Sequence, residues 1–306
     1  MPTRKTLFNA SFEESQKISP NLFSKNRPFH YDLGVADSPK FFQRLGLIIP
    51  WMMLSAMMYA FGGLSPYYVA TTPSSSEDIH FMSIDIYLGI GYFIFVKFVL
   101  IMIIVMMAIV VTLNLFPKKN YMIQRIFGVL SLLNLLLMFY FSMMPLLLGT
   151  TLGAVGWLGF TFITLYGVIF LLRTLWNKSE KIKQELYKSY EIRSNWLDSL
   201  WQVLRRIWLI PAIVMILNIV TFRIDMWGDF SLWSFPWLFA GLLYFGLVTA
   251  FSSGTMKMFV SSYYFWKYAE QYRKLWKVTD EQWYGKRKAK KNAKKKLKQK
   301  KKEEMK

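Results

Sequence analysis

Lys97 is the one charge set well inside an apolar run, because residues 86–116 hold no other Asp, Glu, Lys or Arg. A cation placed there either faces a polar groove or an anionic substrate, or its amine snorkels to the headgroups. Length favours snorkelling. As one helix the run would measure about 46 Å at about 1.5 Å per residue. If Lys118 and Lys119 fix one boundary, a core of about twenty residues ends near Lys97. Ile86 to Val96 would then project beyond the core or lie along its outer surface. Asn114, Asn134 and Asn218 are the strongest polar side chains near or within apolar stretches. Such amides can hydrogen-bond between helices, and helix–helix contact is expected ahead of a polar pathway.

No acid accompanies them. All eighteen Asp and Glu fall outside the expected hydrocarbon-buried segments, as do His30 and His80. Proton-coupled pumps, intramembrane metalloproteases and carboxylate-dependent transporters need ionisable groups at that depth. With no cysteine, thiol chemistry, disulfides and cysteine metal sites are excluded. No H-E-x-x-H, Walker A or Ser/Lys pattern occurs. The chain is therefore expected to be no enzyme, with no catalytic or metal residue and no cofactor. Glu77, Asp78, His80 and Asp85 could form an interface-bound site, but their spacing matches no metal pattern, and a solvated acidic loop is the simpler reading.

A second kind of chemistry sits at the end of the chain. Residues 286–302 hold twelve Lys or Arg and no acid. Lys286, Arg287, Lys288, Lys290, Lys291, Lys294, Lys295 and Lys296 are candidates for contact with anionic lipid or nucleic acid. Inner-leaflet lipid attracts each basic residue by about 1 kcal/mol. No aromatic follows Tyr284, so base stacking is not suggested, and nucleic acid or a ribosome is the lesser alternative. A run of like charges self-repels and is expected to be disordered alone.

The elements that carry these residues are read from hydropathy. The chain has 306 residues, 54% apolar and 18% charged, and the charge is segregated: residues 126–172 hold none. The expected fold is all-α, a polytopic transmembrane helical bundle of six spanning helices, at about 45–66, 86–116, 127–148, 153–175, 207–222 and 236–260. A leader, 1–44, precedes this 45–260 domain, and a helix extension to about Lys277 with a lysine-rich tail, 261–306, follows it. The leader reads as mostly irregular, with a helix-start signal at Ser38-Pro39. Its polarity leaves the first span to serve as the insertion signal. Pro50 should kink that span, and Gly149-Thr150-Thr151 should turn the third span into the fourth. Gly89, Gly91, Gly153, Gly156, Gly159 and the Ser252-Ser253-Gly254 group should allow close helix packing.

The loops expected outside, 67–84, 149–152 and 223–235, together hold one basic residue, Arg223. The positive-inside rule then places both termini in the cytoplasm of a plasma membrane, with a bacterial source expected. Trp51, Trp157, Trp176, Trp208, Trp227, Trp233 and Trp237 fall near expected helix ends, as an aromatic belt requires. The Trp-rich loop after 222 should anchor in the outer leaflet. Segment 176–206 carries apolar stripes opposite Lys and Glu, as an interfacial or partner-docking amphipathic helix does.

The function expected from these features is a non-enzymatic integral membrane subunit of a transport, secretion or other membrane-associated assembly. Its partners would be the bilayer, proteins at the cytoplasmic face and anionic lipid at the tail. The alternatives are a self-sufficient transporter or channel and, less favoured, an insertase-like protein or a lipid-modifying enzyme.

Overall fold

The structure is a computed structural model that describes residues 5–18, 46, 48–72, 84–115, 121–187, 196–207, 239–276, 279–284 and 286–304. The expected fifth span, the Trp-rich loop, Asn218, His30, Glu77, Asp78, His80 and the Ser38-Pro39 signal lie outside the described residues. Among the described residues every regular element is helical. Three stretches are long and apolar enough to cross a membrane, Ile48–Thr71, Val96–Leu113 and Ile126–Leu186.

The first stretch comprises α2 (Ile48–Tyr59), a π turn (Ala60–Leu64) and α3 (Ser65–Thr71). Pro50 lies near the start of the described part of α2. The irregularity comes at the π turn, one turn before Pro66. Proline cannot donate to the carbonyl four residues back, and the ladder widens.

Residues 86–116 do not form one rod. α4 (Ile84–Gly91) ends in a tight turn, with Phe93 N donating to Ile90 O at 3.1 Å and Val96 N to Phe93 O at 2.9 Å. α5 (Val96–Leu115) then starts afresh. α4 lies against the start of α7 and not along α5. A Cβ on Gly89 would collide with the backbone of Gly149 and Gly153, so the close glycine packing expected there is present. Among the described residues nothing lies within 4 Å of a Cβ placed on Gly254.

The third stretch contains α6 (Tyr121–Met144), a π turn (Pro145–Gly149) and α7 (Thr150–Leu186). The expected turn at Gly149-Thr150-Thr151 is helical instead. Thr151 Oγ1 donates to Leu147 O at 2.8 Å, and Thr150 Oγ1 donates to Leu146 and Leu147 carbonyls, so these polar residues are satisfied within the helix. The chain breaks at Gly156, whose φ of 68° and ψ of 177° belong to a region essentially reserved for glycine.

α9 (Ala240–Lys267) records what that break does. Phe139 and Tyr140 meet Phe251 and Ser252, while Thr151 accepts a bond from Gly241 N. Numbers rise along α6 as they fall along α9. Beyond Gly156 the sense reverses: Ile163 lies at Gly241, Gly167 at Phe245, and Glu185 at Lys257. α6 and the long part of α7 therefore run antiparallel. α5 packs on α6, and Leu100 and Ser142 both face Gly62. The core between them is Phe93, Val96, Leu100, Ile103, Met138, Leu148, Leu152 and Phe245.

Two exposed tryptophans mark the descending leg of α7, Trp157 at 62% and Trp176 at 40% exposure. Nineteen residues separate them, about 28 Å of helix, which matches a hydrocarbon core of about 30 Å. α8 (Trp196–Ile207) has one strongly apolar face, and its Trp201 stacks near Tyr166 and Phe170 under Arg173. The amphipathic segment is thus laid against α7.

Candidate functional site: a tyrosine ladder at the lysine-rich end

The residues singled out inside the apolar runs do not come together. Lys97 is the second residue of α5, and its amine stands 3.5 Å from the centroid of the Tyr67 ring. That contact suits a cation at a helix end beside an aromatic and needs no polar pore. Asn134 is buried on α6, and its amide donates to Leu130 O of its own helix at 2.9 Å, so it does not bridge helices. Among the described residues its Oδ1 has no partner, nor do the buried hydroxyls of Ser142, Thr164 and Thr249. Asn114 lies on the last turn of α5. Leu100 sits level with Ser142, eight residues or about 12 Å of helix from Asn134. Lys97 and Asn134 therefore occupy different depths.

The basic residues of the tail lie on one helix, α12 (Lys286–Glu304), which includes Lys286 and Lys296. Arg287, Lys288, Lys290, Lys291, Lys294 and Lys295 are exposed. Disorder was expected here; lysine, alanine and glutamine are good helix formers, and outward-splayed amines in water repel weakly. Lys288 lies 5.3 Å over the Tyr284 ring, which ties the helix start to the preceding element.

That element belongs to a feature the sequence reading missed. Tyr264, Tyr268 and Tyr272 are spaced by four, so they share one face across the end of α9 and α10 (Ala269–Leu275). Across that face runs the segment 5–18. Tyr264 Oη accepts from Ala10 N at 3.0 Å and donates to Leu7 O at 2.6 Å. Tyr268 Oη donates to Ala10 O at 2.7 Å, and Tyr272 Oη pairs with Ser15 Oγ at 2.7 Å. Lys267 Nζ donates to Phe8 O at 2.8 Å. On its other side the segment is held by α7, with Tyr187 Oη donating to Thr6 O and Lys17 Nζ to Leu186 O.

Local sequence shapes the strap for this. Ser11 caps α1 (Phe12–Ser15), and Glu14 returns the bond to Ser11 N at 2.8 Å, a complete capping box. Ala10, Ile18, Ile182, Leu186, Val260 and Tyr264 then bury one apolar cluster. Phe265, Tyr272 and Trp283 bury a second, with Phe12 and Trp276 packed on it. Trp283 is carried by α11 (Asp280–Tyr284). Arg273 fixes that turn: it pairs with Glu270 at 3.2 Å and with Asp280, and its guanidinium lies 4.9 Å over Tyr284.

Burial raises the hydroxyl pKa of Tyr264, against the opposing effect of its bond to Ala10. Burial, then the charge of Glu14, raises that of Tyr187. Burial and the Glu270 carboxylate raise that of Tyr284. These three hydroxyls are neutral at physiological pH. Nothing in the ladder pairs a nucleophile with a base, and among the described residues no three His, Asp or Glu gather as metal ligands. The arrangement is a set of hydrogen bonds and buried aromatic contacts that hold segments together. It ties the beginning of the chain to its end and presents a cationic helix from a rigid base.

No family model, no curated protein and no solved structure matches this chain.

Proposed function

We propose that the chain is a non-enzymatic integral membrane subunit of a transport, secretion or other membrane-associated assembly, with six spans and both termini in the cytoplasm. The observation that carries this reading is the ladder. Residues 7–15 are bonded to residues 264–272, so the beginning and the end of the chain meet at one end of the bundle. A chain whose two ends meet outside the hydrocarbon crosses it an even number of times. The opposed senses of α6 and the long leg of α7 support the same count. The fifth span and the charge asymmetry are supplied by sequence, and the positive-inside rule puts this end in the cytoplasm of a bacterial plasma membrane.

The docking role rests on what the end displays. α12 offers exposed cations on a helix held by α11, suited to an acidic protein partner or anionic lipid. Purification in gentle detergent should bring down stoichiometric partners, and neutralising Lys290, Lys291, Lys294 and Lys295 to Gln should release them. A protein that runs alone and retains activity alone would contradict the proposal.

A transporter is the second reading, favoured by the unpartnered Asn134, Ser142, Thr164 and Thr249 oxygens within the bundle. It requires solute flux by the reconstituted protein that Lys97→Ala abolishes. The separation of Lys97 from Asn134 argues against that dependence.

A further inference from the structure

A groove of about 380 Å³ opens beside the ladder, where α6, α7 and α9 part. Its walls are apolar, including Leu133 and Leu137 of α6 and Met256 and Phe259 of α9, and its mouth is edged by Phe8 of the strap. The far end is closed by Tyr140 and Ser252, hydrogen-bonded at 2.9 Å. From Leu133 to Tyr140 is about 10 Å of helix, set within the half of the bundle nearest the lysine-rich end.

One cation stands beside the mouth, bonded to a residue of its edge. Lys267 donates to the carbonyl of Phe8, the residue that edges the groove, and its amine lies 5.3–6.0 Å from the Tyr263, Tyr264 and Tyr268 rings. No carboxylate is among those partners, and the side chain is exposed. Lys257, ten residues and about 15 Å of helix away, is held by Glu185 at 2.5 Å and takes no part in the mouth. An ammonium satisfied by one carbonyl retains donors for an oxyanion.

We infer that this groove is a site for one anionic glycerophospholipid, with an acyl chain along the α6–α9 wall and the phosphate on Lys267. Apolar length, an inner-leaflet position and a cation beside the mouth together select that occupant. A neutral headgroup leaves Lys267 without a counter-charge, and a soluble anion leaves the groove unfilled. The site differs from α12, whose cations line no groove, and it makes the strap sensitive to lipid, because Phe8 belongs to both. It needs the membrane reading but not the subunit reading, so a failed co-purification would leave it standing.

The test is native mass spectrometry of the full chain, released from nanodiscs of equal phosphatidylglycerol and phosphatidylcholine with matched acyl chains. One phosphatidylglycerol should be retained at least tenfold over phosphatidylcholine. Lys267→Gln and the groove-filling Thr255→Phe should each bring the ratio near one, while Gln at Lys290, Lys291, Lys294 and Lys295 should leave it unchanged. Equal retention of both lipids, a preference that survives Lys267→Gln, or one lost only in the tail variant would overturn the inference. Competition on the unaltered protein covers a variant that fails to fold: lysophosphatidylglycerol should displace the lipid and glycerol phosphate should not. Displacement by the headgroup alone would be equally fatal.

Discussion

Tyr264→Phe isolates the ladder with the loss of one oxygen. That hydroxyl serves two backbone groups of the strap, accepting from Ala10 N and donating to Leu7 O, and neither Tyr264 nor Ala10 has any exposed surface. Leaving the Ala10 N–H buried and unpaired costs about 1–3 kcal/mol, and the bond to Leu7 contributes about 0.5–1.5 kcal/mol more. The midpoint is about 3 kcal/mol, or about a hundredfold in the strap's opening equilibrium. Native-state hydrogen exchange reads this directly at the amides of residues 8–15, while the helix amides of α5 and α6 act as internal standards. Tyr272→Phe should do less, because Ser15 Oγ keeps its 2.7 Å bond to Phe12 O. Exchange in Tyr264→Phe within about threefold of the unaltered protein would refute the ladder as the strap's anchor.

Three further outcomes follow from the same geometry. The strap should loosen in alkali: the folded state holds the Tyr264 and Tyr187 protons more tightly than the unfolded chain. Their stabilisation is complete below the usual tyrosine value near 10 and is lost as pH climbs through the raised values. Cleavage between residues 5 and 18 should therefore stay constant from about pH 7 to 9 and rise in step with tyrosinate absorbance above about pH 10. Gly156→Ala should cost about 1–3 kcal/mol, read as a lower melting temperature in detergent, because a Cβ strains that extended positive-φ backbone. Glu180→Gln should cost about 3 kcal/mol, the lower bound for breaking a buried pair, since its partner Lys183 is partly exposed. Glu185→Gln, which breaks an exposed pair, should cost at most about 1 kcal/mol.

The long apolar helices were legible because length and lack of charge constrain a membrane segment whatever its neighbours. The helix extension expected to about Lys277 is present as α9 and α10, which reach Leu275 with an interruption at Tyr268. The reversal at Gly156 was not legible. Gly149-Thr150-Thr151 looks like a turn in isolation, yet its hydroxyls bond back into the helix and its glycine receives α4. The ladder was less accessible still, since it joins residues more than 250 positions apart. Its only trace was Phe8 and Phe12 in a polar leader, and tyrosines four apart beyond the last span. Lys97 shows a different limit: its place near a helix end was foreseen, but its Tyr67 partner lies on a separate element, 30 positions earlier.

The absence of native cysteine permits the most direct test, single-cysteine labelling in intact cells. Cysteines at Ser75, Thr6 and Gln299 should divide cleanly. Ser75→Cys should react with a membrane-impermeant maleimide from outside, and Thr6→Cys and Gln299→Cys only after permeabilisation. Labelling of Thr6→Cys and Gln299→Cys on opposite faces, or of Ser75→Cys together with either, would contradict a bundle whose two ends are clasped on the cytoplasmic side.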